Sequence, residues 1–201
     1  MTMDTVEQYL IKEGLIDVEP NGRKTIDAAH YTPTYLINAA REVMGGIDTD
    51  PCSSIVGQNR IKAKVYYDAR TNGLEQSWHG RIMMNPSYGY LDKFIHKLLE
   101  ECKIGHTTEY VVHTPTRETW EPWFHTLLKL SEVVCFLDSK IKWHPAWKGY
   151  EKEYAVLGFN YEKFKPYESH GSMYSYYGDN KEKFIEVFGK FGTIINMGDM
   201  K

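Results

Sequence analysis

Short apolar runs the length of a buried strand alternate along this chain with stretches whose apolar residues recur every three or four positions. That alternation restricts the fold more than any other feature. Tyr110-Val111-Val112 and the run Val133-Val134-Cys135-Phe136-Leu137 suit strands covered on both faces. Leu91, Phe94, Ile95, Leu98, Leu99 and Cys102 make one helical stripe, ended by Gly105, and Trp123, Phe124, Leu127 and Leu128 make another. Upstream, Thr32 is predicted to cap a helix with Pro33 at its first position. Leu36, Ala39, Ala40 and Val43 share one face of that helix, Gly45-Gly46 stops it, and a short strand through Ile47 follows. The chain closes with a strand from Met173 to Tyr177, a helix marked by Phe184, Ile185, Phe188 and Phe191, and the strand Thr193-Ile194-Ile195. This order predicts an α/β domain with a mostly parallel sheet, helices on both faces and ligands beyond the carboxyl ends of the strands.

With 201 residues, 42% of them hydrophobic, the chain can build one sizeable core and does not require two. Residues 1–30 read as an arm: a short amphipathic stretch (Val6, Tyr9, Leu10, Leu15) precedes a polar segment rich in turn formers. Residues 31–201 read as the single domain. Between 55 and 80 no long element is predicted, and Asn72-Gly73 marks a turn. A net charge of −3 argues against binding polyanions over the whole surface, so any nucleic-acid contact must use a local basic face. Three cysteines without CxxC spacing, no membrane-length apolar run and no signal-like start predict a reduced, cytoplasmic protein without a membrane partner. The eight histidines show no metal-ligand spacing, and no metal is expected. His113, at a strand end, reads as a capped core histidine or a pocket residue.

The strongest handle on chemistry is Asn85-Pro86-Ser87-Tyr88, placed where the apolar strand Arg81-Ile82-Met83-Met84 stops. An Asn carboxamide oxygen and a neighbouring proline carbonyl are two neutral acceptors held close together, and Pro86 fixes its φ without adding a donor. They suit both hydrogens of an exocyclic amine such as N6 of adenine, while Tyr88 offers a ring for a flat heterocycle. The same tetrapeptide also serves as an ordinary strand-to-helix turn with a core tyrosine. A second turn, Asp48-Thr49-Asp50-Pro51-Cys52-Ser53, also falls at a predicted strand end, so the two are expected to line one crevice. From Lys140 to Gly171 the alternation gives way to aromatics (Trp143, Trp147, Tyr150, Tyr154, Tyr161, Tyr167) interleaved with Lys140, Lys142, Lys148, Lys152, Lys163 and Lys165. Stacking rings beside phosphate-neutralising cations suit a nucleic-acid reader, and an elaborated hairpin with solvated lysines has the same composition.

Taken in order, Tyr31-Thr32-Pro33, Ile47 to Ser53, Asn72-Gly73-Leu74 before Trp78, Asn85 to Gly89, Cys135-Phe136-Leu137, Gly171-Ser172 and Tyr177 to Asn180 resemble the phage-type DNA N6-adenine methyltransferases, the Dam-like family. The resemblance runs from about Tyr31 to Ile195. It implies a Rossmann-like methyltransferase sheet that binds S-adenosylmethionine and moves its methyl group to an adenine flipped out of double-stranded DNA. Asn85, Pro86, Ser87 and Tyr88 would form the catalytic loop. Tyr31, Thr32, Pro33, Asp48, Asp50, Pro51, Cys52, Ser53, Asn72 and Asn85 would line the cofactor site, with a carboxylate from Asp48 or Asp50 meeting the cofactor's ammonium or ribose hydroxyls. The 140–171 segment would recognise the target, with Lys140, Lys142, Trp143, Trp147 and Lys148 on DNA. Three positions depart from the family pattern: Ser87 replaces a second loop proline, Cys52 a common alanine, and Asn72 an aspartate. The competing readings are methylation of cytosine N4, RNA or a protein glutamine, since such a loop would hold those amines equally, and a catalytically silent DNA-binding protein on the same scaffold.

Overall fold

A computed structural model describes residues 3–12, 16–18, 24–26, 30–145, 152 and 171–200. Seven strands form one sheet: β4 (Thr49–Asp50), β5 (Val65–Tyr66), β6 (Gly80–Met84), β7 (Thr107–Pro115), β8 (Val133–Leu137), β10 (Ser172–Tyr177) and β11 (Gly192–Asn196), in the spatial order β5-β4-β6-β7-β10-β8-β11. Two small antiparallel pairs are separate from it. The arm folds as helix α1 (Met3–Lys12) and the hairpin of β1 (Ile16–Val18) with β2 (Lys24–Ile26), while β3 (His30–Tyr31) pairs with β9 (His144–Pro145). Val6 and Leu10, one turn apart on α1, are buried.

The two faces are covered by different helices because the strand side chains alternate. Val111, Tyr174 and Tyr176 turn to one face, where α2 (Thr34–Met44) contributes Leu36, Ala40 and Val43 and α6 (Lys181–Phe188) contributes Phe184 and Phe188. Tyr110, Val112 and Val134 turn to the other, against Leu91, Ile95 and Leu98 of α4 (Leu91–Lys103) and Trp123, Phe124 and Leu127 of α5 (Pro122–Leu130).

The sheet is mixed rather than mostly parallel. The β5–β4, β4–β6 and β6–β7 pairings are parallel, whereas β7–β10, β10–β8 and β8–β11 are antiparallel. The crossover from β7 through α5 to β8 skips one position, and β10 fills the gap running the other way. Nothing local in a fully buried apolar run specifies its direction, so this part of the topology was not legible from the pattern of alternation.

The polypeptide leaves β4 through α3 (Ile55–Ile61) to β5 on one side, then crosses back to β6 on the other. The ends of β4 and β6 therefore flank a topological switch point, the place where open α/β sheets gather ligands.

Candidate active site at the carboxyl ends of β4 and β6

Asn85 follows the last residue of β6, half-buried, with its carboxamide held at both ends. Its Nδ2 donates to Thr32 Oγ1 at 3.2 Å, and its Oδ1 lies 2.8 Å from His113 Nδ1. The Thr32 contact corrects the capping expectation. The helix begins at Thr34 with Pro33 as its cap residue and no side-chain cap bond; the Pro33 carbonyl accepts from the N–H groups of Leu36 and Ile37, and the Thr32 hydroxyl is engaged by Asn85 instead. Pro86 is buried and Ser87 exposed. The Pro86 carbonyl accepts no backbone N–H among the described residues. Tyr88 is half-buried, and the Arg117 guanidinium, from the loop after β7, stands over its ring 5.2 Å from the centroid.

The 48–53 turn divides into two unlike halves. The strand expected through Ile47 forms two residues later, so Asp48 precedes β4 and lies at its amino end. There Arg81 donates to its carboxylate from Nε at 2.7 Å and from the second guanidinium nitrogen at 2.9 Å, and Lys64 Nζ approaches to 2.8 Å. The Arg81 hydrogen bonds hold the Asp48 carboxyl well below the usual range. Gly80 permits this approach, since a Cβ there would stand 2.6 Å from Asp48 Oδ2. Asp50, two residues on, is 3% exposed. Its carboxylate accepts from Gln58 Nε2 at 3.0 Å and from the Cys52 N–H at 3.3 Å, with Ser53 also adjacent. None of these partners carries a positive charge, and burial raises its pKa to about 6.

Gln58 ties the loop together, donating to Asp50 and, at 2.7 Å, to Ser53 Oγ. Burial and the Asp50 carboxylate push the Cys52 thiol well above its ordinary value and keep it protonated, and the Asn85 backbone N–H lies against its sulfur. Tyr31 closes the other side, its hydroxyl accepting at 2.9 Å from Ser54, which caps α3. The Asn72-Gly73 turn packs under Pro51. A Cβ on Gly73 would stand 1.9 Å from the Pro51 carbonyl oxygen, so Gly73→Ala is expected to displace backbone and cost about 1–3 kcal/mol. Thermal unfolding checks this, and an unchanged Tm would contradict so tight a contact. The Asn72 side chain turns outward and donates to Glu75.

The structure thus gathers Tyr31, Thr32, Pro33, Asp50, Pro51, Cys52, Ser53, Asn85 and Pro86 around one switch point, and leaves Asp48 at the opposite end of β4. It also separates the residues expected on DNA. Lys140 and Lys142 are exposed, but Trp143, between Lys142 and the short strand β9, is buried at 5% exposure with its ring edge-on to His113 at 4.8 Å. Alternation explains the difference: Ile141 and Trp143 point in while Lys140 and Lys142 point out. Trp147, Lys148 and most of the 140–171 segment lie outside the described residues. Gln58, His113 and Arg117 join the site without having been singled out as site residues. A distinctive signal preceded only His113, whose position at a strand end raised the pocket alternative.

No curated protein sequence matches the chain. A family model described as DNA N-6-adenine-methyltransferase (Dam) matches residues 21–179. The seven-stranded sheet flanked by helices is consistent with a methyltransferase fold. The chain belongs to the DNA N-6-adenine-methyltransferase family, Dam.

Proposed function

We propose that this adenine-specific DNA methyltransferase holds S-adenosylmethionine against Asp50 and the 31–33 segment, and presents the amine of an extruded adenine to Asn85 and the Pro86 carbonyl. The observation that carries the reading is the Asn85–Thr32 hydrogen bond, which joins the two halves of such a site directly. The parallel half of the sheet, β5-β4-β6-β7, with its switch point between β4 and β6, supports a Rossmann-like reading of the fold.

The donor set fits the cofactor. A buried carboxylate whose partners among the described residues are all neutral is under-compensated, and a ligand bringing an ammonium group or ribose hydroxyls corrects that. S-adenosylmethionine carries both and, when bound, supplies an electrophilic methyl group. Asp48, already paired with Arg81 and Lys64, has no such need.

On the substrate side, the chain's task is to make a poor nucleophile better. The N6 lone pair of adenine is delocalised into the ring. Asn85 Oδ1 has one lone pair engaged by His113 and another left to accept an N6 hydrogen, with the Pro86 carbonyl accepting the second. Those contacts strengthen as positive charge develops at N6. Tyr88 offers its ring to the extruded base, and exit from the duplex costs a few kcal/mol that the pocket must return. Arg117 on Tyr88, and Trp120 at 71% exposure on the same loop, form a rim suited to the strand the base has left.

The test is a transfer assay with labelled methyl donor offered to duplex DNA, RNA and protein. Label confined to DNA adenine is expected, and label in RNA or protein would overturn the reading. The DNA-facing role of the 140–171 segment is tested separately. β8 runs in the same direction as β7, both antiparallel to β10, so Lys140 and Lys142 leave the sheet at the edge that carries Asn85. Replacing both is expected to weaken DNA binding and lower the slope of log K against log salt by up to roughly two counterions. An unchanged slope would place the duplex elsewhere.

A further inference from the structure

Two strands away from the cofactor turn, His113 is 1% exposed yet touches the carboxamide on which the proposed chemistry depends. β6 and β7 are parallel, with the last residue of β6, Met84, opposite Val112, so Asn85 just beyond β6 falls beside His113 of β7, on the face to which Met83 and Val111 turn. The His113 ring is fixed from two other directions, edge-on to Trp143 at 4.8 Å and 5.3 Å from Tyr174, its cross-strand partner on β10. Its Nε2 is buried without a hydrogen-bond partner among the described residues. Burial lowers its pKa to about 3, so the ring is neutral and carries a single N–H.

A neutral imidazole and a carboxamide can pair in two coupled ways. If Nδ1 carries the proton, it donates to Asn85 Oδ1, and Asn85 Nδ2 donates to Thr32. If Nε2 carries it, Nδ1 becomes an acceptor, the carboxamide must turn over, and Nδ2 faces the histidine. The second arrangement buries an unpaired N–H at Nε2, whereas the first leaves only an unpaired acceptor there, and buried orphan donors are the rarer of the two. The choice matters for the reaction, because a turned-over carboxamide has its oxygen committed toward Thr32 and sets N–H against N–H at the target amine.

We propose that His113 is a positioning residue for Asn85. As the Nδ1–H tautomer it donates to Asn85 Oδ1 and, with Thr32 accepting from Nδ2, fixes which end of the carboxamide meets the adenine amine. This rests on the assignment of Asn85 as the acceptor for that amine. It adds a polar clamp, built from β7 and the segment before α2, that sets the orientation of the acceptor before substrate arrives.

The experiment uses the full chain. Long-range proton–nitrogen correlation on histidine-labelled protein, with the His113 signal identified by its loss in His113→Asn, reports which ring nitrogen is protonated; Nδ1–H is expected. Single-turnover rates at saturating cofactor and DNA then compare two variants. His113→Leu should lose about a hundredfold in rate, with cofactor and DNA affinities little changed. His113→Asn, whose side-chain N–H falls near the position of Nδ1–H, should recover most of that loss. An Nε2–H tautomer, or equal losses in the two variants at matched Tm, overturns the clamp. Asn85→Ala run in parallel separates the two ideas: full activity there defeats the assignment of the amine acceptor, whatever the tautomer.

Discussion

Asn85→Ala is expected to lower the single-turnover rate of methyl transfer by about a hundred- to a thousandfold, the loss typical of removing one preorganised group that meets charge developing in the transition state. Affinity for S-adenosylmethionine should change little, because the carboxamide's described contacts are to Thr32 and His113, and its task is on the substrate amine. Quench-flow measurement with the enzyme in excess over DNA, alongside a cofactor titration, separates the two effects. Full retained activity, or a loss confined to cofactor binding, would contradict the role given to Asn85. Ser87 sits exposed in this loop where the resembling family has a second proline, and buried Pro86 and the two side-chain hydrogen bonds of Asn85 are among the contacts that hold it.

Asp50→Asn is expected to weaken S-adenosylmethionine binding by about ten- to a hundredfold, equivalent to one or two charge-assisted hydrogen bonds. The pH dependence makes this prediction sharper. The folded-state pKa of Asp50 is raised to about 6, above its unfolded value. Its contribution to stability is therefore complete below about pH 4 and is lost as the pH rises through about 6. At neutral pH the cofactor-free protein holds an ionised, under-compensated carboxylate, and a cationic or hydroxyl-bearing ligand relieves it. The dissociation constant should be flat above about pH 6 and rise about tenfold per unit below it, while the Asp50→Asn variant shows no such dependence. The same substitution relieves the uncompensated charge but sets an Asn N–H against the N–H of Cys52 or Gln58, so the two effects oppose and the Tm of the cofactor-free protein at pH 7 should change little. Calorimetric titration across pH and thermal unfolding check both halves; a wild-type dissociation constant indifferent to pH would contradict the assignment.

What could be read from the residues followed the range of the forces involved. The run 133–137 is a strand and the stripe from Leu91 to Cys102 is a helix because period and burial are local properties, visible in neighbouring residues. The placement of Asn85 at the end of β6 was legible for the same reason. Direction within the sheet was not, because β10 takes its place between β7 and β8 through pairings formed far along the chain. Asp48 and Asp50 look alike in the sequence, and only the two-residue displacement of β4 assigns one to Arg81 and the other to the switch point. Trp143 illustrates a related limit. Aromatic and basic residues interleave in a DNA-facing surface and equally in a segment with one buried side, and here the ring braces His113. The bond between His113 and Asn85 joins residues 28 apart, and nothing in either neighbourhood announces it.

A crystal structure of the protein with S-adenosylhomocysteine and a duplex containing its target adenine tests the account most directly. The extruded base should place N6 at about 2.7–3.2 Å from both Asn85 Oδ1 and the Pro86 carbonyl oxygen, with the Asp50 carboxylate on the cofactor. An adenine bound away from the end of β6, or a cofactor that meets Asp48 instead of Asp50, would contradict it.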